Sequence, residues 1–336
     1  MLVSLCVIAY NEENFLTGLF DDILNQTYPS EMIQVVLINS MSTDGTRKLM
    51  EDFSLKNKDL FHNITVLDNP KKTQPSGWNT AIKAATGDVI IRVDAHAHIP
   101  EEFIFQNIKC LERGEDISGG PRPNIIIDET PWRKTLLLAE SSMFGSSIAS
   151  YRRSSEKKYV NTMFHAAYRK EVFDKAGLFN ENLIRTEDNE LHYRMRKAGY
   201  KFCYDPAITS YQYTRSNFKE MIRQKFKNGF WIGLTAFFCP GCLSLFHFIP
   251  LAFIAAILST TILACLNATV LALIMWSVYW LFNFAVSTAA IIKNKANMYN
   301  FALPALFFIL HLSYGIGTLC GLFIYPFKSK HLSSDS

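Results

Sequence analysis

Two short groups of residues in this chain have the types and spacing that chemistry needs. In Gly87-Asp88-Val89-Ile90-Ile91-Arg92-Val93-Asp94-Ala95-His96-Ala97-His98-Ile99-Pro100, an apolar run delivers Asp94, His96 and His98, alternating with alanine. A carboxylate and an imidazole two residues apart can hold a divalent cation, and a cation so held can bind a diphosphate. The second group is Arg185-Thr186-Glu187-Asp188-Asn189-Glu190, at the predicted start of a helix that runs to Gly199. Glu187 and Asp188 there meet the positive end of the helix dipole. They read either as ordinary first-turn acids or as a carboxylate general base aimed back at the first group. Asp94 taken alone is equally open: a ligand, or the cap of a turn with surface histidines beside it.

The elements that must position these groups decide between such readings. Val3 to Ala9, Gln34 to Ile38, Ile64 to Leu67 and Val89 to Val93 are apolar runs of strand length. Helical spacing over Asn14–Leu24, Thr46–Phe53, Trp78–Ala85 and Glu101–Arg113 separates or follows them. This alternation predicts an α/β domain with a mostly parallel sheet covered by helices on both faces. Each strand end carries a polar cluster: Asn11-Glu12, Asn39 with Asp44, and Asp94 with His96. In a parallel sheet these ends share one edge, where ligands of open α/β sheets gather, so the clusters converge on a nucleotide site. No G-x-G-x-x-G follows the first strand, which disfavours a dinucleotide fold.

The 336 residues are unevenly charged. No Asp, Glu, Lys or Arg lies between Lys227 and Lys293, nor between Lys295 and Lys328. Leu245–Leu266, Thr269–Ile292 and Phe301–Tyr325 are each long enough to span about 30 Å of hydrocarbon. Gly317 and Gly321 make a small-x-x-x-small step suited to close helix packing. Lys219, Arg223, Lys225 and Lys227 precede this tail, where basic residues favour the cytoplasmic side and anionic lipid. A second cluster, Arg152, Arg153, Lys157 and Lys158, reads as a solvated loop or a basic patch. The net charge of +4 gives no reason to expect nucleic acid. Seven scattered cysteines indicate neither a disulfide framework nor a zinc ribbon. The first apolar run stops at Tyr10-Asn11-Glu12-Glu13, so no secretory leader is expected there. The expected organisation is a catalytic domain over 1–225, an interfacial amphipathic helix over 226–243, about three membrane helices over 244–327, and a polar tail over 328–336.

Four motifs, in this order, resemble the family 2 glycosyltransferases of the GT-A fold, over about residues 1–230: Ile8-Ala9-Tyr10-Asn11-Glu12, Ser42-Thr43-Asp44-Gly45-Thr46, Gly87-Asp88 through Asp94-Ala95-His96, and Thr186-Glu187-Asp188. Arg92-Val93-Asp94-Ala95-His96 with Lys71-Lys72-Thr73-Gln74-Pro75 looks closest to the succinoglycan-type, ExoA-like exopolysaccharide transferases. The resemblance implies a Rossmann-like nucleotide-diphospho-sugar transferase followed by transmembrane helices. It implies inverting, metal-dependent transfer of one sugar from a UDP-sugar to a membrane lipid-linked saccharide, for exopolysaccharide or capsule. It further implies a multi-pass protein of the bacterial plasma membrane, with a cytoplasmic catalytic domain, membrane lipids around it and no nucleic acid partner.

Carried onto this sequence, Ala9, Tyr10, Glu12, Asn39, Ser40 and Asp44 line the nucleoside side of the donor site. Lys72, Gln74, Asn79, Arg92 and Asp94 complete it. Asp94 and His96 take the place of the usual Asp-x-Asp and hold Mn²⁺ or Mg²⁺. Asp188 is the base for the acceptor hydroxyl, with Glu187 and His165 on the acceptor side. Three departures stand out: Asn39-Ser40 where two carboxylates are common, His96 for the second Asp, and no Gln-x-x-Arg-Trp of processive synthases. Two other readings stay open. The head could transfer a sugar directly to polyprenyl phosphate, or be an inactive, membrane-tethered sugar-nucleotide scaffold.

Overall fold

A computed structural model describes residues 1–145, 155–214, 217–294 and 297–332. Arg152, Arg153, Lys295 and residues 333–336 of the expected polar tail lie outside the described residues. The chain divides into two compact units, Met1–Ile125 with Tyr151–Tyr213, and Ile126–Ser150 with Thr214–Ser336.

The first unit opens with β1 (Val3–Ala9), α1 (Glu13–Leu24), β2 (Ile33–Asn39), α2 (Thr46–Asn57), β3 (Asn63–Asp68), α3 (Gln74–Ala84) and β4 (Val89–Asp94). It continues with β5 (Ala97–His98), α4 (Phe103–Glu112), β6 (Ile117–Gly119) and β7 (Asn124–Ile125). Helix α5 (Pro131–Ser141) then belongs to the second unit. The first resumes with β8 (Lys158–Val160), β9 (Ala167–Arg169), α6 (Lys170–Ala176), α7 (Glu187–Lys197), β10 (Phe202–Tyr204) and β11 (Tyr211–Tyr213).

Eight strands form one sheet in the order β3-β2-β1-β4-β9-β6-β10-β8, and β5-β11-β7 form a small second one. The pairs β1–β2, β2–β3, β1–β4 and β6–β10 are parallel. Strand β9 runs antiparallel to β4 and β6, and β8 antiparallel to β10. Six of the eight strands described therefore run in one direction, as a mostly parallel sheet requires, and β8 and β9 are the two reversed ones. No helix lies between β8 and β9 to carry the chain over a face of the sheet.

The apolar runs are continuous because both faces are covered. Val3, Leu5 and Val7 of β1 pack with Leu16, Leu19, Met50 and Phe53 on one side. Cys6 packs on the other with Val36, Ile38, Trp78, Ile90 and Leu191. Each fully buried aliphatic side chain contributes about 1.5–3 kcal/mol. Gly87 lets the turn before β4 approach β1: a Cβ there would stand 2.7 Å from the Leu2 carbonyl oxygen and the Ser4 nitrogen.

The second unit contains α5, α8 (Phe218–Phe238), α9 (Ile249–Cys265), α10 (Thr269–Lys293) and α11 (Leu303–Leu332). Three stretches, Leu245–Cys265, Thr269–Lys293 and Met298–Ile324, are long and apolar enough to cross a membrane, close to the expected spans. Helix α8 begins at Phe218, ahead of the expected amphipathic stretch, and runs parallel to α11. Their backbones touch through Gly229 and Gly233 on one side and Gly317 and Gly321 on the other. A Cβ at Gly229 would overlap the Tyr314 carbonyl, and one at Gly317 the Phe226 carbonyl. Lys225 of the basic cluster is buried in this unit and pairs with Glu140 of α5 at 3.2 Å. Thr135 of α5 donates its hydroxyl to Asn300 Oδ1 at 2.6 Å. Leu136 and Ala139 share a core with Leu303, Leu306, Phe307 and Leu310.

Candidate active site

Strand register brings the polar ends together. Ile8 lies opposite Asp94, Ala9 opposite Asn39, and Asn39 opposite Asp68. The loops after β1 and β2 are tied to each other. Ser42 Oγ accepts from the Asn11 amide at 3.1 Å, Asn11 Oδ1 from Thr43 at 2.8 Å, and Thr46 Oγ1 from Glu12 at 2.7 Å. Asn11 has φ 55°, a left-handed conformation that asparagine tolerates. Asp44 Oδ1 accepts from the Thr46 amide at 3.0 Å and so steadies the start of α2.

Asn39 and Ser40 are buried, and their polar atoms are occupied. The Asn39 amide donates to Asp68 Oδ1 at 2.8 Å and accepts from Ser42 at 3.0 Å. Ser40 Oγ accepts from Asn69 at 3.1 Å. A carboxylate therefore does stand at this edge, on Asp68 rather than at positions 39 or 40, and it is paired with Arg47. Tyr10, Lys72 and Gln74 are exposed. Asn79 is not brought into the group. Its amide binds the Phe179 main chain in both directions, at 3.0 and 2.8 Å, and Glu181 Oε1 at 3.0 Å. It ties α3 to the loop before α7.

Asp94 is the most connected of these residues. Its Oδ2 lies 3.2 Å from His165 Nε2, 3.3 Å from Gln212 Nε2 and 4.0 Å from an Arg122 terminal nitrogen. Burial pushes the Asp94 carboxyl up, but the His165 hydrogen bond and the neighbouring His165, His96 and Arg122 outweigh it and hold it well below the usual carboxylate range. His96 Nε2 is 2.8 Å from the same Gln212 amide, and its Nδ1 is 3.4 Å from Glu12 Oε1. Strand β11 holds Gln212 opposite Ala97, so the ladder itself carries it to the Asp94–His96 step. The third histidine of the run, His98, is engaged elsewhere, 2.9 Å from Asp22 Oδ2 and stacked on Tyr211. It lines a cleft of about 600 Å³ with Asp22, Glu101, Glu102 and Thr209; none of the expected donor-site residues lines that cleft.

Asp188 opens α7 with Glu187 and Glu190, opposite basic Arg194, Arg196 and Lys197 in its last turn, the charge order that suits the helix dipole. Asp188 Oδ1 accepts from Arg92 at 2.8 Å in a buried ion pair. The Arg92 guanidinium lies 4.3 Å from the Trp78 ring centre and 4.6 Å from that of Phe179. Arg92, expected on the donor, is thus the partner of the expected base. Burial first, then the charge of Asp188, push the Glu187 carboxyl well up. Its Oε2 has no hydrogen-bond partner among the described residues. His165, expected beside these acids, contacts Asp94 instead.

Behind this pair, His192 is fully buried between Thr162 Oγ1 at 2.8 Å and the Tyr168 hydroxyl at 3.0 Å. Burial pushes its ring down to about 4, against an opposing pull from Asp188. An unfolded histidine titrates near 6.5. As pH falls from about 6.5 to 4 the unfolded chain gains a proton that the folded ring refuses, so stability is lost across that window. Relative to His192→Gln, the parent should lose up to about 1.4 kcal/mol more per pH unit there. Melting temperatures between pH 7 and 4 test this; parallel curves would reject it.

The sequence did not single out Gln212, Arg122, Asp68 or Asp22. Each meets its partner from a distant part of the chain, and no local spacing announces that.

Comparison with known proteins adds four likenesses. The family model described as Glycosyl transferase family 2 matches residues 4–177, more than half of the chain. The dolichyl N-acetyl-alpha-D-glucosaminyl phosphate 3-beta-D-2,3-diacetamido-2,3-dideoxy-beta-D-glucuronosyltransferase of Methanococcus voltae is 28% identical over 321 residues, covering 93% of this chain and 95% of that protein. The succinoglycan biosynthesis protein ExoA of Rhizobium meliloti (strain 1021) is 27% identical over 234 residues, 67% of this chain and 68% of that protein. Among solved structures, the mannosyltransferase PcManGT from Pyrobaculum calidifontis, in complex with GDP-Man and Mn²⁺, aligns with a TM-score of 0.54. At 20% identity, over 100% of this chain and 88% of that one, it carries the fold alone.

Proposed function

Because this chain belongs to glycosyl transferase family 2, we propose that it moves one sugar from a UDP-sugar to a polyprenyl-linked saccharide, inverting the anomeric carbon. The observation that carries this reading is the convergence at one sheet edge of Asp94, His96 and Gln212, locked by register to the Ala9–Asn39 loops. The lipid-linked acceptor is supported by the Methanococcus voltae relative, whose name gives a dolichyl-phosphate saccharide as substrate and whose likeness spans the apolar helices. The ExoA likeness supports a role in exopolysaccharide or capsule assembly. The three apolar helices would keep the enzyme at the membrane that carries such acceptors.

A divalent cation, Mn²⁺ or Mg²⁺, fits the residues present. Among the described residues no group of three or more His, Cys, Asp or Glu forms a cage. Such ions take one or two protein ligands plus substrate phosphates and water, which Asp94 and His96 would supply with the diphosphate. When bound, the ion offsets the charge that develops on the departing UDP. The chain's own part is then positional and acid–base. Gln212 and His165 hold Asp94, and the paired loops after β1 and β2 receive the nucleoside. Asp188, oriented by Arg92, accepts the proton of the attacking hydroxyl, which displaces UDP in one step.

UDP release from purified membranes tests the proposal, with a panel of UDP-sugars, Mn²⁺ or Mg²⁺, and lipid-linked saccharide added or withheld. Release that requires one sugar and the acceptor is expected. Equal release with polyprenyl phosphate alone would point to direct transfer. Binding without consumption on any acceptor would leave the scaffold reading standing.

A further inference from the structure

His165 lies in the connection between β8 and β9 with φ 48°, a left-handed backbone conformation uncommon for any L residue. It is buried, and both ring nitrogens are engaged. Nδ1 is 3.0 Å from the Ser210 hydroxyl; Nε2 is 3.2 Å from Asp94 Oδ2 and 3.3 Å from the Asp94 main-chain nitrogen. Backbone strain of this kind persists where the surroundings over-determine it, and it collects at functional sites. Here the surroundings are the Ser210 hydroxyl on one edge of the ring and the main-chain N–H and carboxylate of Asp94 on the other.

We propose that His165 is a positioning residue that, with Ser210, sets the orientation of the Asp94 carboxylate toward the donor's cation. Nδ1 meets the Ser210 hydroxyl, while Nε2 accepts from the Asp94 main-chain N–H and lies against Oδ2, so the ring is fixed to both the backbone and the carboxylate of Asp94. The last torsion of an aspartate is broad, so without such a hold the carboxylate samples many angles. Ser210 is itself fixed, its amide donating to the Pro121 carbonyl at 3.1 Å. The order is hydroxyl, imidazole, carboxylate, cation, in which a buried partner orients the ligand rather than touching the ion. This inference rests on the reading of Asp94 as a cation ligand.

Two amide substitutions separate positioning from packing. The amide of His165→Gln reaches about where Nε2 stands; that of His165→Asn reaches only as far as Nδ1. Asparagine, however, tolerates the left-handed backbone better. The measurement is UDP affinity of the full chain in detergent by titration calorimetry, with and without Mn²⁺, and a thermal melt of each sample. His165→Gln should stay within about threefold of the parent in the presence of Mn²⁺. His165→Asn should weaken by about tenfold or more, as outer-shell losses do, while melting no lower than His165→Gln. Equal affinities, or Asn binding better than Gln, would overturn the proposal. If the parent binds UDP equally with and without Mn²⁺, the cation reading of Asp94 fails first and takes this one with it.

Discussion

Asp188→Asn is expected to lower turnover by about 10²–10⁴-fold while UDP-sugar affinity stays within a few-fold of the parent. The amide keeps the shape of the carboxylate and an oxygen for the Arg92 guanidinium, which lies 2.8 Å away in the parent. What it loses is the ability to accept a proton from the acceptor hydroxyl. Asp188→Ala makes the useful contrast. It leaves Arg92 buried between Trp78 and Phe179 without its counter-charge, and stranding one partner of a buried pair costs about 3–5 kcal/mol. Alanine should therefore damage folding and activity together, whereas asparagine should damage activity alone. Single-turnover rates with saturating donor, beside thermal melts, separate the two. Normal turnover in Asp188→Asn would remove this residue from the chemistry and turn attention to its neighbour Glu187, whose Oε2 has no hydrogen-bond partner among the described residues.

Asp94→Ala should abolish the cation dependence of UDP binding, an effect of about 10²-fold in the presence of Mn²⁺. Affinity without the ion should change little, since the loops after β1 and β2 are bonded to one another independently of Asp94. Titration of Mn²⁺ in the presence of UDP reads this directly, with no acceptor and no turnover. An unaltered Mn²⁺ effect in the alanine variant would refute the assignment of Asp94 as ligand.

Much of this was legible in the sequence, and the reason is local. β1, β2 and β4 are apolar runs flanked by turn residues, and their alternation with helices predicted the sheet whose ends carry Asp94 and Asn39. Strands of three residues such as β8 and β9 leave no periodicity to read, so the two reversed strands of the sheet were out of reach. The site follows the same rule. Asp94 and His96 are neighbours in sequence and were found together. The bond between Gln212 and Asp94 joins residues 118 positions apart, and that between Arg92 and Asp188 joins residues 96 apart. Such partners are chosen by the tertiary path, which spacing along the chain does not encode. Helix α5 makes the same point on a larger scale: its amphipathic pattern is ordinary, and only its partners, 165 positions away at Asn300, reveal where it belongs.

That allegiance of α5 bears on how the catalytic half can be prepared in isolation. A fragment ended before Thr214 would retain residues 126–150 but lose Leu303, Leu306, Phe307 and Leu310, the side chains that cover Leu136 and Ala139. Glu140 would likewise lose Lys225. The fragment would expose the apolar face of α5 in mid-sequence, a liability for aggregation in the absence of detergent. Removing the tail alone is therefore not enough: the apolar face of α5 that carries Leu136 and Ala139 has to be removed or covered with it.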